Sequence, residues 1–276
     1  MNKIAEAGLI AKAFHKNADQ YDRHALVQKR VVTQLAGSVA LHLDRAPKHI
    51  LDVGTGTGAL LELLHDRYPT ARLTGVDIAH NMCLKSRQKM GASCQIVNGN
   101  AEALPFKTGV FDLVVSASVL QWVSDLPAAI GEMCRVVAPG GSINAAFFCH
   151  GTLDELQHCL HDVTVRGSSI MSRLHGFWTV DGVTAIINSM EFARAVISVE
   201  TEVDWYDDLH SLLRAIKNIG AGAVSGGSER GLGWRGLLQE ASLRYQKLYG
   251  VNGRIPATYK VLYLTASGIT IRSTKG

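Results

Sequence analysis

The 276-residue sequence predicts an α/β protein: a mostly parallel, seven-stranded sheet with helices on both faces and a helical cap inserted between the last two strands. Three observations carry this. From Lys48 onward, short apolar runs alternate with stretches of helical spacing at the length of strand-helix units, the pattern of a parallel sheet. The first run, Ile50-Leu51-Asp52-Val53, leads directly into Gly54-Thr55-Gly56-Thr57-Gly58 and a helix-like stretch from Ala59. A later run, Phe111 to Ser116, is apolar enough to be buried on both faces, as a central parallel strand is.

In chain order, apolar spacing from Ile10 to Leu43 predicts two helices, interrupted near Asn17 to Asp22, ahead of a first strand at His49 to Val53. A helix from Leu60 to Arg67 ends before Pro69, and the second strand, Arg72 to Asp77, closes on Val76-Asp77-Ile78. A short helix over Asn81 to Lys89 leads to a third strand, Cys94 to Asn98, and the loop Gly99 to Phe106. The fourth strand, Phe111 to Ser116, is followed by Ser118-Val119-Leu120-Gln121-Trp122-Val123 at its carboxyl end, the side on which open α/β sheets bind ligands. A helix from Pro127 to Val137 stops at the loop Ala138-Pro139-Gly140-Gly141, before a fifth strand, Ser142 to Phe148. Helices from Leu153 to about Val163 and from Val180 to Met190 precede an alternating sixth strand, Ala195 to Trp205. A helix from Leu209 to Ile219, a glycine-rich loop from Gly220 to Gly233 and a helix from Trp234 to Tyr249 then separate it from the last strand, Ala257 to Thr265. If the sixth strand is parallel to the first five, this insertion leaves from the ligand side and is placed to cover a substrate. The expected organisation is one domain over 1–276: lid helices (1–45), ligand-binding core (46–150), the rest of the core (151–205), cap (206–256) and last strand (257–268).

A chain of this length buries a sufficient core without covalent staples. Its five cysteines are odd in number and lack any C-x-x-C pair, so thiols used as small hydrophobes in a reducing compartment are expected, with no disulfide. No apolar run reaches signal-peptide or membrane-span length, which predicts a soluble, cytoplasmic protein. The net charge of +4 comes from scattered bases without aromatic interleaving, which argues against a nucleic-acid partner. His158 and His161 share a helix face, but no third or fourth ligand stands at zinc-like spacing, so no metal is expected.

Glycines at 54, 56 and 58 let the chain turn sharply and let a ligand lie against bare backbone. Gly54, Gly56 and Ala59 also satisfy a dinucleotide fingerprint, but Asp52 would then set a carboxylate beside a pyrophosphate. A cation suits that position better. The pattern Asp52-x-Gly54-x-Gly56-x-Gly58 resembles motif I of the class I S-adenosylmethionine-dependent methyltransferases, a Rossmann-like fold. The resemblance implies S-adenosyl-L-methionine as cofactor, leaving as S-adenosyl-L-homocysteine, with Asp52 helping to hold its amino-acid end. Asp77, at the end of the second strand, is placed to accept both ribose hydroxyls, and Ile78 offers an apolar face to adenine. In the family, the residues matching Asn100-Ala101 meet the adenine edge; asparagine stands here where aspartate is commoner, and it can both donate and accept. Ser116, ending the fourth strand, is also assigned to the cofactor site. Phe14-x-x-x-Ala18-x-x-Tyr21-Asp22 resembles the segment that folds over the cofactor as a lid, which places Tyr21 against cofactor and substrate; Gln121 and Trp122 are candidates for lining the methyl-transfer pocket.

Within that class the cap narrows the resemblance. Leu213 to Ala221, then Arg230-Gly231-Leu232-Gly233, then Pro256 to Val261 look like the malonyl-acyl-carrier-protein O-methyltransferases, which open pimelate synthesis for biotin. Gly233-Trp234 and the small-residue loop Ala221 to Glu229 depart from the family pattern. The implied partner is an acyl carrier protein bearing a malonyl group, whose carboxylate is already deprotonated near pH 7, so no acid or base catalyst is named. A cap cation should hold that carboxylate: Arg214 first, Lys217 one turn away second, then Arg166, Arg173 and Arg230. The competing readings are a methyltransferase of the same fold acting on a phenol, quinone or amine, and a non-enzymatic module that binds S-adenosylmethionine.

Overall fold

The computed structural model describes residues 3–39, 45–161, 176–220 and 232–269. Strands β1 (His49–Val53), β2 (Arg72–Asp77), β3 (Cys94–Asn98), β4 (Phe111–Ala117), β5 (Val137–Phe148), β6 (Phe192–Tyr206) and β7 (Ile255–Ile269) form one sheet in the order β3-β2-β1-β4-β5-β7-β6. Neighbours from β3 to β5 are parallel. The last strand, β7, runs antiparallel between β5 and β6, which leaves β6 parallel to the first five, as the placement of the cap requires.

The helices are α1 (Lys3–His24), α2 (Leu26–Val39), α3 (Ala59–Arg67), α4 (His80–Met90), α5 (Leu126–Val136), α6 (Asp154–His161), α7 (Val180–Asn188), α8 (Leu209–Asn218) and α9 (Leu232–Tyr249). Successive strand residues enter opposite layers. Ile50 and Leu113 pack with Leu35 of α2, Leu64 of α3 and Leu212 of α8, whereas Leu51 and Val114 pack with Ile130 of α5 and Val183 of α7. Both faces of the central strands are therefore buried, which is why these strands are nearly continuous apolar runs. β1 and β4 are neighbours whose chains depart toward opposite edges, so a crevice opens at their carboxyl ends.

Local chemistry sets several boundaries. Asp125 caps α5 by accepting from the Ala128 amide at 3.0 Å, and Pro127 occupies its first turn. Asp208 accepts from the Ser211 amide at 2.7 Å in the capping box that opens α8. Arg30 reaches from α2 to Glu202 and Asp204 at 2.5 and 2.9 Å, fixing that helix over the edge strand β6.

Some expectations change. The interruption expected near Asn17 to Asp22 is absent: α1 continues to His24, and the break falls at Ala25. Asn and Asp disfavour helix by only a few tenths of a kcal/mol each. The docking of Ala18, with Phe14 and Tyr21, on Met82 of α4 and on Ala79 just before it outweighs that. Ala138-Pro139-Gly140-Gly141 is not a separate loop but the bulged start of β5, with the register shifting between the pairs of Phe111 and Leu113. Arg166, Arg173, the loop 221–229 and Arg230-Gly231 lie outside the described residues, as does the side chain of His161. His158 turns to Tyr249, with Nδ1 2.5 Å from its hydroxyl. No helix among the described residues is long and apolar enough to cross a membrane.

Candidate functional site

After β1 the chain turns through three glycines with positive φ: Gly54 at 76°, Gly56 at 54° and Gly58 at 86°. Their roles differ. A Cβ on Gly54 would lie 2.2 Å from a Val119 methyl, so this glycine lets the β1 and β4 loops touch. A Cβ on Gly58 would meet Ser86 Oγ at 2.8 Å, so the third glycine seats the start of α3 against α4. A Cβ on Gly56 would meet nothing within 4 Å, and that open backbone faces the crevice. The loop is anchored from β2: the Gly54 and Thr55 amides donate to Val76 O at 2.7 and 3.0 Å, and the Gly56 amide donates to Asp77 Oδ2 at 2.9 Å.

Two adjoining cavities fill the crevice. The larger, about 760 Å³ and open to solvent, is bounded by Asp77, Ile78, Asn100, Ala101 and Val119, with Phe14 and Tyr21 across it from α1. The second, about 470 Å³, holds Asp52, Thr55, Gln28 and Lys29. Tyr21, Gly54, Gly56, Ala117 and Ser118 line both and form the partition between them. Trp122 closes the larger cavity from the β4 side, its ring edge-on to Phe14 at 5.6 Å and 76°.

The polar groups could take a ligand with a cationic end. Asp52 is 1 % exposed, and its Oδ2 has no hydrogen-bond partner among the described residues; Thr55 Oγ1 is in the same condition. The Thr55 hydroxyl lies near enough to favour the ionised form of Asp52, but a buried carboxylate with one oxygen unpartnered is costly unless something completes it. Burial, with the charge of Asp77 adding, pushes the Asp52 carboxyl up to about 7, and burial pushes Asp77 up to about 6. Asp77 also accepts from the Ala79 amide at 2.8 Å, which leaves lone pairs on both oxygens for vicinal hydroxyls. Asn100 Oδ1 accepts from the Glu102 amide at 3.0 Å, and Glu102 Oε1 in turn accepts from the Ser124 amide at 2.6 Å, tying the β3 loop to the β4 loop. Burial raises the Tyr21 phenol, keeping it a neutral donor.

These shifts carry a sign. Both acids hold protons more tightly in the fold than in the unfolded chain, so they leave stability untouched below about pH 4 and reduce it progressively as pH rises through the window from about 4 to 7. A cation bound at Asp52 restores the ionised form. S-adenosylhomocysteine, which carries such an ammonium, should therefore release up to one proton on binding near pH 6 and none near pH 8.5. Calorimetry in buffers of different ionisation enthalpy measures this, and Asp52→Asn should abolish it; equal proton release in that variant would remove Asp52 from the site.

Of the residues singled out in the sequence, Tyr21, Asp52, Gly54, Gly56, Asp77, Ile78, Asn100, Ala101 and Trp122 meet at the two cavities. Others do not. Ser116 is fully buried and donates to Val53 O at 2.9 Å, stitching β4 to β1 behind the cavity wall, which is made instead by Ala117 and Ser118. Gln121 is held by backbone, donating to Ser118 O at 2.9 Å and accepting from the Phe148 amide at 3.4 Å. Gly58 serves packing. Arg214 and Lys217 are exposed on α8 and line neither cavity. Ile10, Met82, Glu102 and Ser118 line the larger cavity without having been picked out, because helical spacing shows that Ile10 and Met82 are apolar but not what they face.

A family model described as a methyltransferase domain matches residues 51–145. A malonyl-[acyl-carrier protein] O-methyltransferase of Geobacter sulfurreducens is 40 % identical over 92 % of this chain and 96 % of its own length. The enzyme of the same name from Dechloromonas aromatica is 32 % identical over 93 % of each chain. Among solved structures, a putative methyltransferase from Bacillus halodurans matches the fold with a TM-score of 0.59 at 14 % identity, over 86 % of this chain and all of its own. The glycine cradle, the two buried acids and this full-length similarity agree: the chain belongs to the malonyl-[acyl-carrier protein] O-methyltransferase family, on the Rossmann-like fold of class I methyltransferases.

Proposed function

We propose that this protein methylates the free carboxylate of a malonyl group carried as a thioester on acyl carrier protein, using S-adenosylmethionine. The observation that carries the reading is the similarity to the Geobacter enzyme across 92 % of the chain, rather than across the 51–145 core alone. The cavity chemistry supports it. No histidine, lysine or arginine stands among the described residues of the larger cavity, and its carboxylates, Asp77 and Glu102, are engaged by backbone amides, so a nucleophile that needs no deprotonation suits it better than a phenol or an amine.

When bound, S-adenosylmethionine supplies a methyl group on a positively charged sulfur. Asp52 would hold its ammonium, Asp77 its ribose hydroxyls, and Ile78, Asn100 and Ala101 its adenine. Tyr21 and Trp122, from opposite walls, exclude water and hold the carboxylate in line, which is the main contribution available to a one-step displacement. Transfer would form the O–C bond from a carboxylate lone pair and leave the S–C bonding electrons on sulfur, so no residue of the chain need accept a proton. The ester removes a charge from the chain end, a role fitted to the first step of pimelate and biotin synthesis, and five free thiols, three of them buried, suit the cytoplasm.

Transfer of label from methyl-labelled cofactor to malonyl-acyl carrier protein, with malonyl-CoA and free malonate alongside, tests this. A labelled malonyl ester is expected; no transfer to any malonyl thioester would overturn the reading. In the same assay Arg214→Gln and Lys217→Gln should each cost under about 1 kcal/mol, as solvated charges do. A loss above about 30-fold would return either residue to the role of carboxylate anchor.

A further inference from the structure

Ser118 stands out at the partition. It is one of three non-glycine residues with positive φ among the described residues, at 58°, in a conformation that L side chains adopt only under local compulsion. It is 7 % exposed, and its hydroxyl has no hydrogen-bond partner among the described residues. The rest of the residue is engaged: its amide donates to Ala146 O at 2.7 Å and its carbonyl accepts from Gln121 Nε2 at 2.9 Å. The fold thus clamps the backbone of Ser118 on both sides and leaves only the hydroxyl uncommitted, on a residue that lines both cavities, as Tyr21 does.

If Asp52, Asp77 and Asn100 hold the polar groups of the cofactor, it would span both cavities, and the residues of the partition, Ser118 among them, would stand between its two ends. We propose that the Ser118 hydroxyl is a positioning donor for the substrate carboxylate, binding its non-attacking oxygen while the other oxygen faces the methyl group. The assignment rests on the proposed function. A neutral donor suits the task, since it fixes the direction of a carboxylate without neutralising the charge that makes it a nucleophile. The positive φ sets Ser118 apart from Ser116, whose hydroxyl is already spent on Val53 O in the sheet.

The test compares Ser118→Ala with Ser118→Gly; glycine accepts φ 58° without strain and separates loss of the hydroxyl from damage to the turn. Both variants should lower kcat/KM on malonyl-acyl carrier protein by about 10- to 100-fold, the effect of one hydrogen bond to a charged group. Both should also weaken binding of malonyl-acyl carrier protein to the S-adenosylhomocysteine-loaded protein, read by calorimetry without turnover, while the affinity for S-adenosylhomocysteine stays within about twofold. A Ser118→Gly protein with parental kcat/KM overturns the assignment and leaves the functional reading intact. A loss confined to S-adenosylhomocysteine affinity also overturns it, moving Ser118 to the cofactor. A parent protein that methylates no malonyl thioester removes the functional reading, and this assignment with it.

Discussion

Gly54→Ala is expected to lower the unfolding free energy by about 2–4 kcal/mol and to abolish measurable S-adenosylhomocysteine binding. Two effects add. The φ of 76° is unfavourable for any residue with a Cβ, and the new methyl would lie 2.2, 2.6 and 2.8 Å from three side-chain atoms of Val119. Val119 is itself a wall of the larger cavity, so relief of the clash moves the wall. Gly56→Ala is the informative contrast, because space is open around it. Only the strain of φ 54° remains, about 1 kcal/mol, yet the methyl enters the crevice and should block the ligand as effectively. Chemical denaturation and calorimetry on the two variants measure both quantities. Parental stability in Gly54→Ala would mean that the β1 and β4 loops do not touch as described.

Asp77→Ala should weaken S-adenosylmethionine by about 1–3 kcal/mol, roughly 5- to 150-fold, through loss of charge-assisted acceptors for the ribose and loss of the bond that positions the Gly56 amide. Its effect on stability should be smaller, because two terms oppose. The bonds to the Gly56 and Ala79 amides stabilise the fold, whereas the buried charge, with its pKa pushed up to about 6, destabilises it at neutral pH. Titration calorimetry beside a melting curve separates binding from folding. An unchanged dissociation constant in a folded variant would take Asp77 out of the ribose site.

The core was legible because strand and helix signals there are local. Ile50 to Val53, the glycine triplet and Ala59 to Arg67 lie within 18 residues, and the observed strand and helix keep those bounds to within a residue or two. Asp52 and Asp77 were readable for the same reason, since each is tied by chain position to the carboxyl end of a strand. Ser116 and Ser118 show where legibility ends. They differ by two residues, yet one stitches two strands and the other lines the cavities, because the strand ends at Ala117 and a residue of positive φ follows. Composition does not mark that change.

The sequence by itself determined the βα order, the glycine turn after the first strand and the position of two acids at strand ends, all consequences of periodicity and glycine freedom acting over a few residues. Only the tertiary structure decided that α1 runs unbroken to place Phe14 and Tyr21 over the crevice, that β7 enters antiparallel between β5 and β6, and that Arg214 and Lys217 face solvent. Those outcomes depend on which surface each segment finds to bury. Long-range packing of Ala18 on α4, or of Leu212 in the core, outweighs the few tenths of a kcal/mol per residue that local preference contributes.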